Sequence, residues 1–189
     1  MEPKTDLHDK LRSLRASLLS RLDGLGEYDL RRPVTPTGTN LLGLVKHLAG
    51  VEYLYLGECF GRPAPETLGW VEDGSIWDSA DMWARPEESQ EYLLGLYRRA
   101  CEHSDATIRD LPLDAPGQVP HWPAERRDTT LGFLLVRMVA ETAQHAGHAD
   151  IVRELIDGRG GPDHDDMGGE SWWKEYVSKI QAAADPFAP

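Results

Sequence analysis

The stretch Leu131-Gly-Phe-Leu-Leu-Val-Arg-Met-Val-Ala-Glu141-Thr-Ala-Gln-His145-Ala-Gly-His148-Ala-Asp-Ile-Val-Arg-Glu-Leu155 decides how this chain is read. Its apolar positions Leu131, Leu134, Leu135, Met138, Val139, Ile151, Val152 and Leu155 predict one long helix. Thr129 or Thr130 can cap its start, and Gly158 stops it after Asp157. Within this helix Glu141 and His145 are i and i+4, and His145 and His148 are i and i+3. All three therefore project from one face. Their apolar neighbours Met138, Ile151 and Val152 put that face at or near a core. Three ionisable groups beside a core carry a desolvation cost if left unpaired, and a divalent cation is one thing that offsets it. A carboxylate with two imidazoles leaves coordination positions open, as catalytic rather than structural sites do.

Working outward, Leu7, Leu11, Leu14, Leu18 and Leu22 form the stripe of a first amphipathic helix over about 5–25. Thr5 and Asp6 are its capping candidates, and Gly24 and Gly26 end it. A second helix is expected from Thr39 or Asn40 to about Phe60 on Leu41, Leu44, Val45, Leu48 and Tyr55, with His47 at the edge of the apolar face. A third runs from Glu87 or Ser89 to about Leu111 on Tyr92, Leu93, Leu96, Tyr97, Ala100 and Ile108. Between the second and third helices lies a Trp-rich excursion, 61–88, longer than ordinary connections. It is too aromatic for a solvated linker. Its Trp70, Trp77 and Trp83 are expected to pack, over the mouth of a site. A second connector, 111–129, carries Pro120-His121-Trp122-Pro123. Residues 158–169 read as a flexible surface loop, and 170–184 as a short helix with Trp172, Trp173, Tyr176, Val177 and Ile180 on one side. No strand pattern is strong enough to build a sheet. Four amphipathic helices with long connections describe an all-α four-helix bundle, in a single domain over 1–189.

Composition narrows the function. The chain has 189 residues, 20 Lys plus Arg against 32 Asp plus Glu, and a formal charge of −12. A phosphate-backbone binder needs a basic footprint, so nucleic acid is not an expected partner. No apolar run approaches the ~18 residues of a membrane span, and the polar N-terminus has no signal-peptide core. With Cys59 and Cys101 far apart and in no CxxC, the expected setting is the cytoplasm, with both thiols reduced. No GxSxG elbow, P-loop, Rossmann fingerprint or HExxH is present. The excess of Arg over Lys, with abundant Ala, Gly, Asp and Pro, hints at a GC-rich bacterial genome.

His47 can supply a ligand across from Glu141 and His145. The residues alone leave other readings open. His47 can be a satisfied interfacial histidine, Glu141 and His145 an ordinary helix charge pair, and His148 an orienting group for Glu141. His8, His103 and His164 read as solvated surface residues, and His121, beside Trp122, as a candidate pocket wall.

Two segments carry a family resemblance: Leu44-Val-Lys-His47-Leu-Ala-Gly-Val-Glu52 and Glu141-Thr-Ala-Gln-His145-Ala-Gly-His148-Ala-Asp-Ile. Together they resemble the two motif helices of the DinB-like superfamily, nearest to its actinobacterial branch related to mycothiol-dependent enzymes. The resemblance covers roughly residues 5 to 180. It implies an up-down-down-up bundle holding a divalent metal, with His47, Glu141 and His145 as ligands. Many members carry histidine where this chain has Glu141, and glutamate there is similar to mycothiol-dependent isomerases. His148 falls where relatives often carry another polar residue. It is expected to face substrate as the catalytic proton carrier, with a fallback role as third ligand should Glu141 point away.

The resemblance implies a metal-dependent thiol S-transferase, or a thiol-dependent isomerase, that joins a low-molecular-weight thiol of the mycothiol type to an apolar or aromatic electrophile in a detoxification role. Trp77, Trp122 and His121 are the expected binding wall for these molecules. The donor set suits zinc first, with nickel or iron as alternatives. A metal-assisted hydrolase and a non-catalytic bundle binding a metal or a ligand are the competing readings, and the oligomeric state expected is monomer or homodimer.

Overall fold

The computed structural model describes residues 2–159, 161 and 164–188. Its helix starts follow from short polar side chains that accept orphan backbone N–H groups. The Asn40 side chain accepts from Gly43 N at 2.7 Å and opens α2 (Leu41–Tyr55). Ser89 Oγ accepts from Tyr92 N and opens α3 (Gln90–Asp110), and Thr130 Oγ1 accepts from Phe133 N and opens α4 (Leu131–Asp157). Gly158, at φ +76°, ends α4 in the left-handed conformation that glycine adopts without strain. The first helix, α1 (Pro3–Ser20), departs from expectation at both ends. Proline, whose fixed φ suits a first helical position, begins it, so Thr5 and Asp6 lie inside rather than capping it. α2 also stops short of Phe60, in a 3-10 turn (Glu58–Phe60) closed by Gly61 at φ +69°.

Side-chain pairs give the topology. On α2 and α4, His47 meets Glu141 while Tyr55 meets Arg137, so the two helices are antiparallel. Lys46 pairs with Glu88 just before α3, and Glu52 O accepts from Ser104 Oγ, so α2 and α3 run parallel. Leu11 shares a core cluster with Leu134 and Met138, while Arg21, just past α1, pairs with Asp150; α1 and α4 are therefore parallel. The result is an up-down-down-up bundle, with the 61–88 segment as the crossover that permits parallel neighbours. The core is leucine-rich: Leu18, Leu41, Leu44, Leu48, Leu93 and Leu96 are all buried.

The crossover is clamped to the first turns of α2. Asn40 Nδ2 donates to Met82 O at 3.0 Å, and Lys46 Nζ donates to Trp83 O and to Glu88. Gly43 allows this approach, because a Cβ there would sit 1.9 Å from Met82 O. Trp70 packs in the core at 2 % exposure and stacks under Lys46.

Four expectations need correction. The 111–129 connector is not wholly irregular: β1 (Pro116–Gln118) pairs antiparallel with β2 (Asp128–Thr130) in a two-stranded ribbon. Three-residue strands are too short to carry an alternation pattern. Ile151 and Leu155 on α4 are exposed, because among the described residues nothing covers that flank of the helix end. The expected apolar side of α5 (Glu170–Ala184) is covered only at its start: Trp172 and Trp173 are part-buried, while Tyr176, Val177 and Ile180 are exposed, with Tyr176 stacked on Trp172. The loop expected at 158–169 falls partly outside the described residues, at 160, 162 and 163, and His164–Met167 within it is one helical turn. Among the described residues no helix is long and apolar enough to cross a membrane.

Candidate metal centre

The antiparallel seam between α2 and α4 brings His47 onto the Glu141–His145 face. One ligand atom from each of these three half-buried residues lies within 4.8 Å of the others. His47 Nε2 is 3.5 Å from Glu141 Oε1, and His145 Nε2 is 3.3 Å from the same oxygen. The two imidazole rings meet edge to face, their centroids 4.9 Å apart. Contacts of 3.3–3.5 Å are long for hydrogen bonds to a carboxylate. They match the edge of a tetrahedron whose centre makes bonds of ~2.0–2.1 Å, about 3.4 Å. His145 Nδ1 is buried with no partner, so the hydrogen bonding here is not closed by protein alone. Two imidazole nitrogens and a carboxylate oxygen converging on one point fit a divalent cation.

Behind His47 stands a carboxylate that the sequence did not reveal. Asp81 Oδ2 accepts from His47 Nδ1 at 2.7 Å, and Asp81 is 6 % exposed. This bond places a proton on Nδ1, an arrangement that orients a metal-binding imidazole and raises its basicity. Asp81 belongs to the one-turn segment Ala80–Met82 of the clamped crossover. No periodicity links a loop aspartate to a helix histidine, so only its place among the acidic residues between Trp77 and Trp83 could have drawn notice.

Electrostatics separate the two imidazoles. Burial works against a charged His47, but the hydrogen bond and charge of Asp81, then those of Glu141, outweigh it and raise its pKa. Burial and the neighbouring His47 lower the pKa of His145, which Glu141 opposes only in part. His145 is thus a neutral donor near pH 7.

The other expected residues divide. His148 is exposed on the outer side of the centre, its ring 5.4 Å from that of His145. Glu141 points inward, toward both imidazoles. His121 and Trp122 lie farther along the same seam, over Tyr55. His121 Nε2 is 3.4 Å from Tyr55 Oη, and the Trp122 and Tyr55 rings are 6.1 Å apart. Burial, and then the charge of Arg137, lower the His121 pKa. Trp77, expected to pack, is instead 78 % exposed, on a 3-10 turn between Gly74 and Ser79, both at positive φ. Two histidines expected to be solvated are engaged instead. His8 Nε2 bonds Asp105 at 2.8 Å, and His103 Nε2 donates to Arg62 O at 2.9 Å. His164 stacks on Trp173. Arg137 also escaped the sequence reading, because an arginine one turn before a glutamate looks like an ordinary surface pair.

Comparison with known proteins bears on both fold and family. A solved structure described as the conserved protein of locus from Enterococcus faecalis superposes with a TM-score of 0.63, at 12 % identity, over 84 % of this chain and 99 % of that one. Such a likeness speaks for the fold alone. Comparison with curated proteins gives no match. Residues 6–158, which include His47, Asp81, Glu141, His145 and His148, match the mycothiol-S-transferase family. With that match spanning most of the chain, on a DinB-like bundle, the chain belongs to the mycothiol-S-transferase family.

Proposed function

We propose that the protein is a metal-dependent thiol S-transferase that conjugates a low-molecular-weight thiol of the mycothiol type to an electrophilic small molecule. The observation that carries this reading is the convergence of His47 Nε2 and His145 Nε2 on one Glu141 oxygen, at 3.5 and 3.3 Å. It sits in a chain whose family is named for such a transfer. His47, Glu141 and His145 hold the cation, zinc first by the chemistry of the donors. When bound, the cation supplies a positive charge that favours the ionised form of a thiol sulfur.

The chain's own residues do the rest. Asp81 fixes the His47 ring. His148, at the solvent edge, accepts the thiol proton at an imidazole nitrogen. The new carbon–sulfur bond then forms as the leaving group departs with its electron pair. Full ionisation of a thiol of pKa ~8.5 gains only ~30-fold at pH 7, or ~2 kcal/mol. The larger share of the rate must come from holding the electrophile in line with the sulfur, and Tyr55, His121 and Trp122 along the seam are placed for that. The two cysteines do not compete as nucleophiles. Burial pushes the Cys59 thiol up to about 12, and it pushes Cys101 higher still. Both are unpaired, in keeping with action in the reducing cytoplasm.

The test is elemental analysis of purified protein, then conjugation of a chloronitroarene with several thiols. One ion per chain and thiol-dependent product are expected, with His145→Ala losing both and His8→Ala keeping both. A loaded protein that turns over ester or amide substrates but no thiol would make it a hydrolase. Ion retained at full occupancy in His145→Ala would overturn the ligand assignment.

A further inference from the structure

Arg137 is a cation that the fold holds in place and leaves without a counter-ion. It sits on α4 one turn before Glu141, yet Glu141 faces the two imidazoles rather than the guanidinium. The Arg137 guanidinium carbon lies 4.8 Å from the Tyr55 ring centroid and 5.4 Å from that of Trp122. Its Nε is buried with no acceptor, whereas its terminal nitrogens are not among the buried unpartnered atoms. Among the described residues no hydrogen bond or ion pair is made by this side chain. Arg98 and Arg126 also lack a carboxylate among these residues, but both are exposed, whereas Arg21, Arg62 and Arg153, part-buried like Arg137, each find one. Stacking between two rings fixes the long side chain in advance, so little entropy is lost when its fork meets a planar anion. Residues i and i+4 on a helix are about 6 Å apart. A group held by Arg137 is therefore within a small molecule's length of the His47–Glu141–His145 centre.

We infer that Arg137, gripped by Tyr55 and Trp122 with His121 at the rim, is a recognition site for a carboxylate on the electrophilic one of the two reactants. The inference rests on the transferase reading for the identity of those reactants, but not for the existence of the site. A bidentate arginine–carboxylate pair in this half-buried setting selects an acid over its neutral analogue by roughly 10- to 100-fold.

The test uses the full metal-loaded chain and two matched probe pairs: N-acetylcysteine against its amide, and 4-chloro-3-nitrobenzoate against its methyl ester. Binding is followed by calorimetry and by tryptophan fluorescence, which Trp122 makes responsive to this site. The wild type is expected to prefer the acid in the arene pair. A preference found in the thiol pair instead overturns the assignment to the electrophile. Arg137→Met, which keeps contact with both rings, loses the preference; Arg137→Lys, which keeps the charge, retains part of it. No acid preference in the arene pair, or a preference undiminished in Arg137→Met, overturns the inference. Product formation is measured alongside. An acid preference without any thiol conjugate sinks the transferase reading and leaves the carboxylate site standing.

Discussion

Two clusters of ionisable side chains lie inside this bundle, and they are built to opposite ends. In the first, Arg15 on α1 donates to both oxygens of Glu52 at 2.7 Å and to Asp105 at 2.6 Å, and Asp105 also takes a bond from His8 at 2.8 Å. Glu52 is fully buried and Arg15 nearly so, and the short distances leave no position open. In the second, His47, Glu141 and His145 approach one another only to 3.3–3.5 Å, and one imidazole nitrogen is buried unpartnered. The first cluster is complete without any addition and ties α1, α2 and α3 together. The second brings two imidazoles to one carboxylate oxygen without closing short hydrogen bonds. What distinguishes a structural charge network from a candidate binding centre here is saturation rather than residue type, since both contain histidine and carboxylates.

The largest effect that can break this comparison is expected at the saturated cluster. Glu52→Ala strands a buried guanidinium with only Asp105 beside it, and removing one partner of a buried ion pair costs about 3–5 kcal/mol. Chemical denaturation should show that loss, while the folded fraction still binds one ion per chain. A loss below about 1 kcal/mol would mean that the network is not the tie between helices described above. At the open cluster the corresponding change falls on metal affinity. Asp81→Asn keeps the size of the side chain but weakens the hold on His47 Nδ1, and loss of such a supporting carboxylate lowers metal affinity by about 10- to 100-fold. Competition against a chelator reads this directly. Unchanged affinity would reduce Asp81 to a crossover anchor.

The same contrast explains what the sequence disclosed. The four helices were legible because Leu7 to Leu22 and Leu131 to Val152 repeat at helical period, and because Asn40, Ser89 and Thr130 are capping residues by their chemistry. Glu141 and His145 were legible because i and i+4 fixes their geometry within one helix. His47 was legible from the residues only as one candidate among open readings, and the family resemblance was needed to choose it, since no spacing rule spans the residues between α2 and α4. Asp81 and Arg137 were not legible. The first reaches the centre only because Gly43 lets the crossover lie against α2, and the second is defined by rings from two distant segments. The saturated cluster was missed altogether. Arg15, Glu52 and Asp105 lie on three helices, and Arg15 interrupts an otherwise leucine stripe, which reads from sequence as a polar flank.

A smaller effect sharpens the comparison from the other side. Glu141→Gln in metal-free protein removes a charge whose contacts are long and not fully buried, so the stability change should stay within about 1 kcal/mol of wild type. The difference should emerge only on adding zinc. Wild type gains thermal stability in proportion to the logarithm of free metal over its dissociation constant, and the variant gains less at every concentration. A variant much less stable than wild type without metal would show that Glu141 serves the fold in the way Glu52 does.

The smallest effect concerns acid. Burial alone would raise the Asp105 pKa, but the hydrogen bond and charge of Arg15, followed by those of His8, overcome it and hold the carboxyl below its usual value of 3.8. A depressed folded-state pKa means that the unfolded chain takes up the proton first. The stability contributed by Asp105 is therefore whole above the unfolded carboxyl pKa of ~3.9 and drains away as pH falls through the lower folded value. Between pH 6 and pH 3 the wild type should lose stability more steeply than Asp105→Asn, and the two slopes should be equal above about pH 6. The comparison is made in metal-free protein, so that proton competition at His47 and His145 does not enter. Parallel slopes across the acid range would show that Arg15 is satisfied by Glu52 alone, and that the saturated cluster closes with one carboxylate rather than two.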